Sequence, residues 1–506
     1  MHKLIRPLLS IDTVPDALLL PLTRLISIIL LRVKPTKSGF PSLPNLDLLM
    51  SLTSRRSFIR TAALTGAAVP FMPSLYTAAQ AGSHPPALSK VRLGFIGVGL
   101  RGRNHLQQAL YRPDVEITAL CDTSADAIAK SNAMIEKAGR KAPPAYTKGD
   151  NAFLEMLKRD DIDGVVIATP WEWHTPMAVA SMKAGKYTGV EVSATVTLKE
   201  SWDLVDTYEK TKAHCMILEN VCYRRDVMAI LNMVRQGLFG EMTYAHCGYE
   251  HDLRNIKFND GTARGVGAEF GEKGFSEAHW RTQHSVDRNG DLYPTHGLGP
   301  VAHWLNINRG NQFVRLTSMA TKSRGLHKYI VDKGGANHPN AKVNFKLGDV
   351  VTTMVECANG ENIIIIHDTN SPRPYSLGFR AQGTQGIWMD DNHMIYLEGV
   401  SPKPHTWEPF AAYQDKYDHP LWKQHAQTAQ NAGHGGIDFF VLRGFIESIK
   451  NQVAPPIDVY DAAAWSAISP LSEESIAKGS KSIDIPDFTR GKWKTNKPIF
   501  GLNEVY

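Results

Sequence analysis

The stretch 91–103 constrains the fold of this chain more than any other part of the sequence. It reads Val-Arg-Leu-Gly-Phe-Ile-Gly-Val-Gly-Leu-Arg-Gly-Arg. Apolar residues predict a buried strand over 91–96, the triplet Gly97, Gly99 and Gly102 predicts a sharp turn, and apolar periodicity predicts a helix directly after it. This order lets the backbone approach a pyrophosphate closely, and the free amides and positive end of the helix bind its charge.

A carboxylate at the end of the next predicted strand supports a dinucleotide site. The strand 115–121 ends at Asp122, twenty residues after Gly102, where a carboxylate can accept hydrogen bonds from an adenosine ribose. A glycine triplet alone could be a chance turn, but the flanking strand, helix and acid make it specific. The sequence therefore predicts NAD binding. Asp122 favours NAD over NADP, because a 2′-phosphate would face a carboxylate, although Arg101 and Arg103 leave that preference open.

Composition describes an ordinary soluble globular protein. With 506 residues, 43% apolar and 21% charged, the chain is long enough for two or three domains. The formal charge of +6 is spread along the sequence, so we expect no nucleic-acid partner. Five cysteines without CxxC or zinc spacing predict buried free thiols. The histidines match no common ligand spacing either, so no metal site is predicted.

The N-terminus predicts export. A twin arginine at Arg55-Arg56 precedes the apolar run 61–71, and Ala79-Gln80-Ala81 offers small residues to a signal peptidase. We therefore expect a twin-arginine signal peptide over 50–81, the export machinery as a partner, and a periplasmic or secreted protein. The alternative is a short amphipathic helix with two surface arginines. Residues 1–49 fit poorly in front of such a signal and are interpreted as an over-extended translation start.

Residues 85–218 alternate between predicted strands and helices, which is typical of a doubly wound parallel sheet. The loop after the strand 164–168 lies at a carboxyl edge, where ligands bind in such sheets. We expect Thr175 to cap the following helix, with Pro176 at its first position. Trp171 and His174 in that loop either pack along the nicotinamide or only cover the sheet edge.

Residues 219–480 predict a second, α+β domain with a large, mainly antiparallel sheet beside the Rossmann unit. Asn359-Gly360 is a strong hairpin signal, and a second hairpin-like pair covers 377–382 and 386–397. The span 255–274 is interpreted as an inserted loop. Two returning helices near the end are assigned a structural role, and the tail 481–506 is expected to wrap the surface.

Polar residues that could line a cleft cluster in three places: Glu219 to Tyr223, Tyr249 with Arg281, and Asp291 to Pro300. The third cluster sets Tyr293 and His296 against proline and glycine, so polar groups converge on rigid backbone. Histidine titrates near neutral pH and tyrosine can donate a proton, which suits acid/base catalysis. The alternative is a structural turn whose histidine satisfies a buried carbonyl.

The order of motifs resembles the glucose-fructose oxidoreductase and inositol dehydrogenase superfamily. The shared features are the glycine triplet, the strand-end Asp, a Thr-Pro loop with a His at a helix start, and a Glu on the next strand. In most dehydrogenases of that superfamily this Glu opens a Glu-Lys-Pro motif whose lysine assists proton transfer. This chain has Glu191-Val192-Ser193 instead. A valine cannot move a proton, so the sequence argues against the ordinary dehydrogenase mechanism.

Four motifs together resemble glycoside hydrolase family 109, whose founding activity is α-N-acetylgalactosaminidase. They are Trp171-Glu-Trp-His174, Glu191-Val192, Glu219-Asn220 and Tyr293-Pro-Thr-His296, behind a twin-arginine signal. The resemblance implies cofactor contacts at Leu100, Arg101, Asp122, Trp171, His174, Glu191, Val192, Asn220 and Tyr293. It implies substrate contacts at Tyr249, Arg281, Tyr293, Thr295, His296 and Tyr375.

The mechanism implied by this resemblance is oxidation of a glycoside at C3 by bound NAD, loss of the C2 proton, departure of the aglycone, addition of water and re-reduction. His296 and Tyr293 are expected to transfer protons, Tyr249 and Arg281 to hold the sugar, and Glu191 to orient the nicotinamide. Two alternatives are an NAD-dependent oxidoreductase that releases a keto-sugar and a non-catalytic periplasmic sugar-binding protein. The sequence leaves the C2 substituent, the aglycone and homo-oligomerisation open.

Overall fold

The computed structural model describes residues 86–430, 432–503 and 505. The predicted over-extended start and the predicted signal peptide lie outside this part of the chain. No helix in the described ranges is both long and apolar enough to cross a membrane.

The N-terminal part forms a six-stranded parallel sheet with the strand order β3-β2-β1-β4-β5-β6. Its strands are β1 Val91–Ile96, β2 Val115–Cys121, β3 Ala145–Tyr146, β4 Gly164–Ile167, β5 Tyr187–Val190 and β6 Cys215–Ile217, and its helices are α1 Leu100–Leu110, α2 Ala125–Lys137, α3 Ala152–Leu157, α4 Trp171–Lys183 and α5 Leu198–Thr211. The residues of β4 are buried, as expected for a strand covered on both faces by helices. The predicted doubly wound sheet is confirmed.

Helix α4 begins five residues earlier than the sequence predicts, at Trp171 instead of Pro176. Pro170 is its N-cap and Pro176 lies inside it, so the predicted cap at Thr175 is wrong. The Thr175 hydroxyl donates instead to the carbonyl of Ala194, 3.0 Å away. An internal proline removes one hydrogen bond, here to the carbonyl of Glu172, and Glu172 is exposed to water that can replace it.

The C-terminal part is built on a nine-stranded sheet with the order β14-β13-β12-β11-β7-β10-β9-β8-β15. Its strands are β7 Met242–Glu250, β8 Phe313–Ala320, β9 Val351–Cys357, β10 Asn362–Asp368, β11 Arg380–Gly383, β12 Gly386–Met389, β13 Met394–Leu397, β14 Glu408–Pro409 and β15 Ile483–Asp484. Only the pair of β7 and β10 is parallel among the pairings of this described sheet, so the predicted mainly antiparallel sheet is confirmed. The sequence predicts 386–397 as one strand of a hairpin, whereas the structure has two strands there, β12 and β13.

The remaining helices surround this sheet and join it to the first one. They are α6 Arg225–Arg235, α7 Arg254–Lys257, α8 Glu277–Asp287, α9 Thr295–Trp304, α10 Gly325–Gly334, α11 Ala411–Tyr417, α12 Pro420–Ala429, α13 Ile437–Asn451, α14 Val459–Ser466 and α15 Ile468–Ala477, and short 3-10 turns cover Asn220–Tyr223, Gly271–Lys273, Pro339–Lys342, His434–Gly436 and Lys492–Lys494. Helix α9 begins inside the polar cluster 291–300. As a result, Thr295 and His296 lie in its first turn.

Two regions are more ordered than the sequence suggests. The predicted inserted loop 255–274 contains a bridge between Asn259 and Glu269, and Phe258 packs in a small core with Tyr329. The C-terminal tail does more than cover the surface, because Phe500 is buried and stacks on His303, with ring centroids 4.1 Å apart. The five cysteines are buried free thiols, as predicted.

Candidate active site

The glycine turn between β1 and α1 leaves room for a ligand on one side only. Gly97 has a φ of +79°, which favours glycine, and a Cβ at Gly102 would lie 2.0 Å from the carbonyl oxygen of Gly97. A Cβ at Gly99, in contrast, would meet nothing within 4 Å. Helix α1 has no side-chain cap at its N-terminus. The turn therefore offers free amides and open space to an anionic group.

Asp122 ties this turn to the end of β2 and keeps capacity for a ligand. Its two carboxylate oxygens accept hydrogen bonds from the amides of Val98, at 2.8 Å, and Ser124, at 2.7 Å. A carboxylate has about four acceptor positions, so a ribose hydroxyl can still bind here. Leu100 begins α1 beside the turn and its side chain is exposed. The residues present thus fit the dinucleotide that the sequence predicts.

Arg101 and Glu191 form a buried ion pair behind the turn. Nε of Arg101 donates to Oε1 of Glu191 at 2.5 Å, and Nε2 of His105 lies 2.6 Å from the same oxygen. The other oxygen of Glu191 accepts from the amide of Val192. Burial alone would raise the pKa of Glu191, but the charge of Arg101 and the hydrogen bond to His105 outweigh it and lower the pKa to about 2. Glu191 is therefore a fixed negative charge.

His174 is held by the backbone on both sides. Its Nδ1 lies 2.7 Å from the carbonyl of Ser193 and its Nε2 lies 2.8 Å from the carbonyl of Thr169. Burial lowers the pKa of His174, so the ring is neutral at pH 7 and donates to one carbonyl at a time. Both nitrogens face protein groups, which leaves the ring's faces and carbon edge as the parts that could contact a cofactor.

On the other side of the cleft, three predicted residues form one aromatic cluster. The ring centroids of Tyr249 and Tyr293 are 4.6 Å apart, and His296 lies 4.8 Å from Tyr293 and 5.2 Å from Tyr249. The guanidinium of Arg281 lies over the rings of Trp171, at 5.1 Å, and Tyr293, at 5.0 Å. Trp171 thus joins the loop after β4 to the substrate-side residues.

His296 is paired with a buried carboxylate. Its Nδ1 lies 2.8 Å and 2.9 Å from the two oxygens of Glu219, whose side chain is fully buried. The same carboxylate also accepts from the amide of Val221, which fixes it in place. Because Nδ1 is engaged, Nε2 is the nitrogen that can exchange a proton with a ligand.

The neighbouring tyrosines keep their protons. Burial raises the pKa of Tyr293 well above its ordinary value and also raises that of Tyr249, where the nearby charge of Arg281 only partly opposes the effect. The hydroxyl of Tyr249 lies 3.1 Å from Nδ1 of His251, and burial lowers the pKa of His251. The Nδ1–H of a neutral His251 can donate to the phenol oxygen, which leaves the phenol proton of Tyr249 available to a ligand. The tyrosines are therefore donors, which leaves His296 as the candidate base.

These groups border a cavity of about 820 Å³, a size ordinary for small-molecule sites. Its lining includes Asn220, Tyr249, His251, His296, Tyr375 and His434. Tyr375 is half exposed, and its ring centroid lies 6.4 Å from that of Tyr249. The predicted substrate residues Tyr293 and Arg281 pack against this wall.

Like Tyr293 and Arg281, Thr295 is a predicted substrate residue that lies outside the cavity lining. Its side chain is completely buried in the first turn of α9, and its hydroxyl has no hydrogen-bond partner within the described ranges. The sequence grouped Thr295 with the other polar residues of 291–300 and did not indicate that α9 begins there.

Sequence reasoning missed three residues near the site. His251 lies two positions after Tyr249, so the alternation of an extended strand could have placed it on the same face. Asp438 and His434, in the segment assigned only a structural role, contact the cofactor side of the cleft: Asp438 bonds to Arg101 at 2.9 Å and to His434 at 2.7 Å. No local pattern connects residues more than 300 positions apart.

Comparison with protein families finds two matches that together cover most of the described chain. Residues 91–218 match the oxidoreductase family with an NAD-binding Rossmann fold, and residues 223–495 match the C-terminal domain of glycosyl hydrolase 109.

Two curated relatives are similar over most of their length. A glycosyl hydrolase family 109 protein of Stenotrophomonas maltophilia is 55% identical over 423 residues, which cover 82% of this chain and 93% of the relative. An alpha-N-acetylgalactosaminidase of Tannerella forsythia is 56% identical over 417 residues, which cover 81% and 89%.

Solved structures share the fold at low sequence identity. Levoglucosan dehydrogenase in complex with NADH and levoglucosan superposes with a TM-score of 0.58 at 18% identity, over 78% of this chain and 100% of that one. An NAD-binding oxidoreductase from Klebsiella pneumoniae gives a TM-score of 0.59 at 16% identity, over 79% and 100%.

Proposed function

The chain belongs to glycosyl hydrolase family 109, and we propose that it hydrolyses terminal α-N-acetylgalactosaminides with a bound and recycled NAD. It is a glycoside hydrolase with an NAD-binding Rossmann domain. The choice of sugar is supported by the relative from Tannerella forsythia, which is named an alpha-N-acetylgalactosaminidase.

The observation that carries the proposal is the pair of His296 and Glu219 on the cavity wall. A histidine held by a buried carboxylate is a general base whose protonated form is stabilised. The His296 pair lies beside Tyr249 and Tyr293, whose phenols stay protonated. One base and two donors at one wall are the groups needed to remove a proton from a sugar carbon and to hold its oxygens.

The cavity carboxylates argue against direct hydrolysis between two acids. Such hydrolysis needs one carboxylic acid and one free carboxylate across the scissile bond. Asp226 and Asp390 both accept hydrogen bonds from Arg224, and Asp391 accepts from the hydroxyl of Ser376. Carboxylates engaged in this way are poor nucleophiles, and Asp390, whose pKa is raised by burial, is bonded to Arg224 through both oxygens.

Bound NAD supplies a reversible oxidation at C3 of the sugar, which acidifies the hydrogen on C2. Nε2 of His296 takes the C2 proton, and Glu219 stabilises the imidazolium that forms. Tyr293 and Tyr249 donate hydrogen bonds to sugar oxygens. Arg281, whose guanidinium lies over the ring of Tyr293, holds that ring in place. Gly97 to Gly102, Asp122, Arg101 and Asn220 would hold the dinucleotide.

A single incubation separates this proposal from its alternatives. Purified enzyme is mixed with an aryl α-N-acetylgalactosaminide in deuterated water without added NAD. We expect catalytic release of the sugar, with deuterium at C2. Stoichiometric formation of NADH and a keto-sugar would instead indicate an oxidoreductase. Binding without release and without C2 exchange would indicate a sugar-binding protein.

We also propose that the protein is exported by the twin-arginine pathway, which carries folded proteins and would let it load NAD before export. The motif at Arg55-Arg56 and the small residues at 79–81 support this. Sequencing the N-termini of the precursor and the exported form tests it. A precursor that begins before Met50 would refute the over-extended translation start. We expect a variant with both arginines replaced by lysine to stay in the cytoplasm.

A further inference from the structure

The carboxylate of Asp438 connects three parts of the chain at the edge of the cofactor site. Oδ1 accepts from Nη1 of Arg101 at 2.9 Å and from Nδ2 of Asn220 at 2.7 Å, while Oδ2 lies 2.7 Å from Nδ1 of His434. The side chain of Asp438 is 1% exposed. A buried carboxylate with three partners is rigid, so whatever it holds is also fixed in orientation.

Asp438 decides which way the amide of Asn220 faces. An ionised carboxylate can only accept hydrogen bonds, so the group of Asn220 that faces it must be the NH₂. The carbonyl oxygen of Asn220 then faces the opposite way. This oxygen is buried and has no hydrogen-bond partner in the part of the chain that the structure describes, and Asn220 lines the cavity. A buried acceptor without a partner points to a ligand that carries a donor.

The position of Asp438 in the fold supports a negative charge there. It lies in the first turn of α13, where the helix dipole favours an anion. The opposing effect of burial is outweighed by His434 and Arg101, so the pKa of Asp438 stays well below its ordinary value. The carboxylate is therefore ionised at every pH at which the protein is expected to work.

We propose that Asp438 is a positioning residue of the dinucleotide site, which orients Arg101 and turns the carbonyl oxygen of Asn220 toward a hydrogen-bond donor of the cofactor. The donor is an N–H or O–H group, either the carboxamide of the nicotinamide or a ribose hydroxyl. The C-terminal helix α13 is then a third component of the cofactor site, beside the glycine turn and the end of β6. This inference rests on the proposed NAD-dependent function.

The helix also supplies a matched control. Glu447, nine residues further along α13, is also buried and pairs with Arg112 at 2.9 Å, next to the end of α1. The Glu447 pair ties the same helix to the same Rossmann unit, but it lies at the opposite end of α1 from the glycine turn. Glu447→Gln therefore loosens the helix without touching the cofactor site, whereas Asp438→Asn changes both.

The test measures NAD rather than activity. Wild-type protein, Asp438→Asn and Glu447→Gln are purified, the co-purified NAD is quantified after acid release, and the NAD dissociation constant is measured on the stripped proteins by calorimetry. We expect Asp438→Asn to weaken NAD binding by about tenfold or more, because a hydrogen bond to a charged group is lost and Asn220 can rotate. Glu447→Gln should bind NAD as the wild type does, even though both variants melt at a lower temperature.

The outcomes separate the inference from the proposed function. A wild type that neither carries nor binds NAD overturns the proposed function itself. A wild type that binds NAD, with Asp438→Asn within about twofold of Glu447→Gln, overturns the inference and leaves Asp438 a structural residue. If Asp438→Asn does not fold, Asn220→Ala replaces it, and unchanged NAD affinity in that variant also overturns the inference.

An NAD analogue identifies the donor. The analogue with an acetyl group in place of the carboxamide lacks the N–H donor of the nicotinamide. If the wild type binds the analogue about tenfold more weakly than NAD and Asp438→Asn does not discriminate, the donor is the carboxamide. If both proteins treat the two dinucleotides alike while Asp438→Asn still binds each weakly, the donor is a ribose hydroxyl.

Discussion

The two walls of the cleft handle charge in different ways. On the cofactor wall, Arg101 is paired with two buried carboxylates, Glu191 and Asp438. The charge of Arg101 and the hydrogen bonds to His105 and His434 keep both acids ionised against the opposing effect of burial. On the substrate wall, burial keeps Tyr249 and Tyr293 protonated instead. Arg101, Glu191 and Asp438 hold fixed charges where a dinucleotide is bound, whereas the phenols beside His296 stay neutral. This difference predicts that variants on the cofactor wall change NAD binding or stability, and that variants on the substrate wall change turnover.

The largest effect is expected on the substrate wall, from His296→Ala. Removing the only proposed base should lower kcat on an aryl glycoside by about 1,000-fold, since general base catalysis contributes about 100-fold to 10,000-fold. NAD content should be unchanged, because His296 pairs with Glu219 and not with the charged groups of the cofactor wall. Turnover and released NAD are measured on the same preparation.

The matched control for that variant is His405→Ala. His405 has a left-handed backbone and is exposed, outside the cavity lining. Its replacement should leave turnover and NAD content unchanged. If His296→Ala kept full turnover and normal NAD content, His296 would not be the base, and the proposed difference between the two walls would be wrong.

On the cofactor wall, Glu191→Gln should change acid stability. The pKa of Glu191 is lowered from 4.5 to about 2, so its contribution to folding is complete above pH 4.5 and is lost as the pH falls toward 2. The shift corresponds to about 3 kcal/mol at neutral pH. The gap in unfolding free energy between wild type and variant should therefore narrow steadily below pH 4.5 in urea titrations. A gap independent of pH would mean that Glu191 is not a fixed charge.

The same contrast explains what the sequence could predict. The glycine turn, Asp122 and the parallel sheet follow from local patterns, because the strand, turn and helix are neighbours in the chain. The position of His296 beside Tyr249 required family resemblance, since these residues come from α9 and β7. Asp438 was missed because its partners, Arg101 and Asn220, are more than 200 positions away and its own surroundings look like an ordinary helix start.

The start of α4 shows a second limit. Pro176 suggested a first helical position, yet the helix begins at Trp171 and contains that proline. Tertiary contacts accompany this start: His174 and Thr175, both inside the helix, bond to the carbonyls of Ser193 and Ala194 after β5. The local preference of proline for the start of a helix is outweighed here by tertiary contacts.

Returning to the substrate wall, Glu219→Gln should lower kcat by about 100-fold while leaving KM nearly unchanged. The amide can still meet Nδ1 of His296, but it cannot stabilise the imidazolium, so the loss appears when the proton is transferred. Steady-state kinetics with a C2-deuterated glycoside provide the measurement. The isotope effect should rise as C2 proton removal becomes slower, and a rise in KM alone would show that Glu219 acts in binding.

The smallest effect is expected from Tyr249→Phe, which keeps the ring and removes the hydroxyl. The ring packs on Tyr293 and His296, and these contacts stay. The lost hydroxyl bonds to His251 and faces the cavity, so the variant gives up about one neutral hydrogen bond to the sugar, and KM should rise by about tenfold with little change in kcat. His251→Gln tests the same interaction from the side of His251: the amide NH₂ can still donate to the oxygen of Tyr249, so KM should change less. If Tyr249→Phe instead lowered kcat by as much as His296→Ala does, the phenol would have to move a proton itself, and the substrate wall would contain two proton-transfer groups rather than one base with fixed donors.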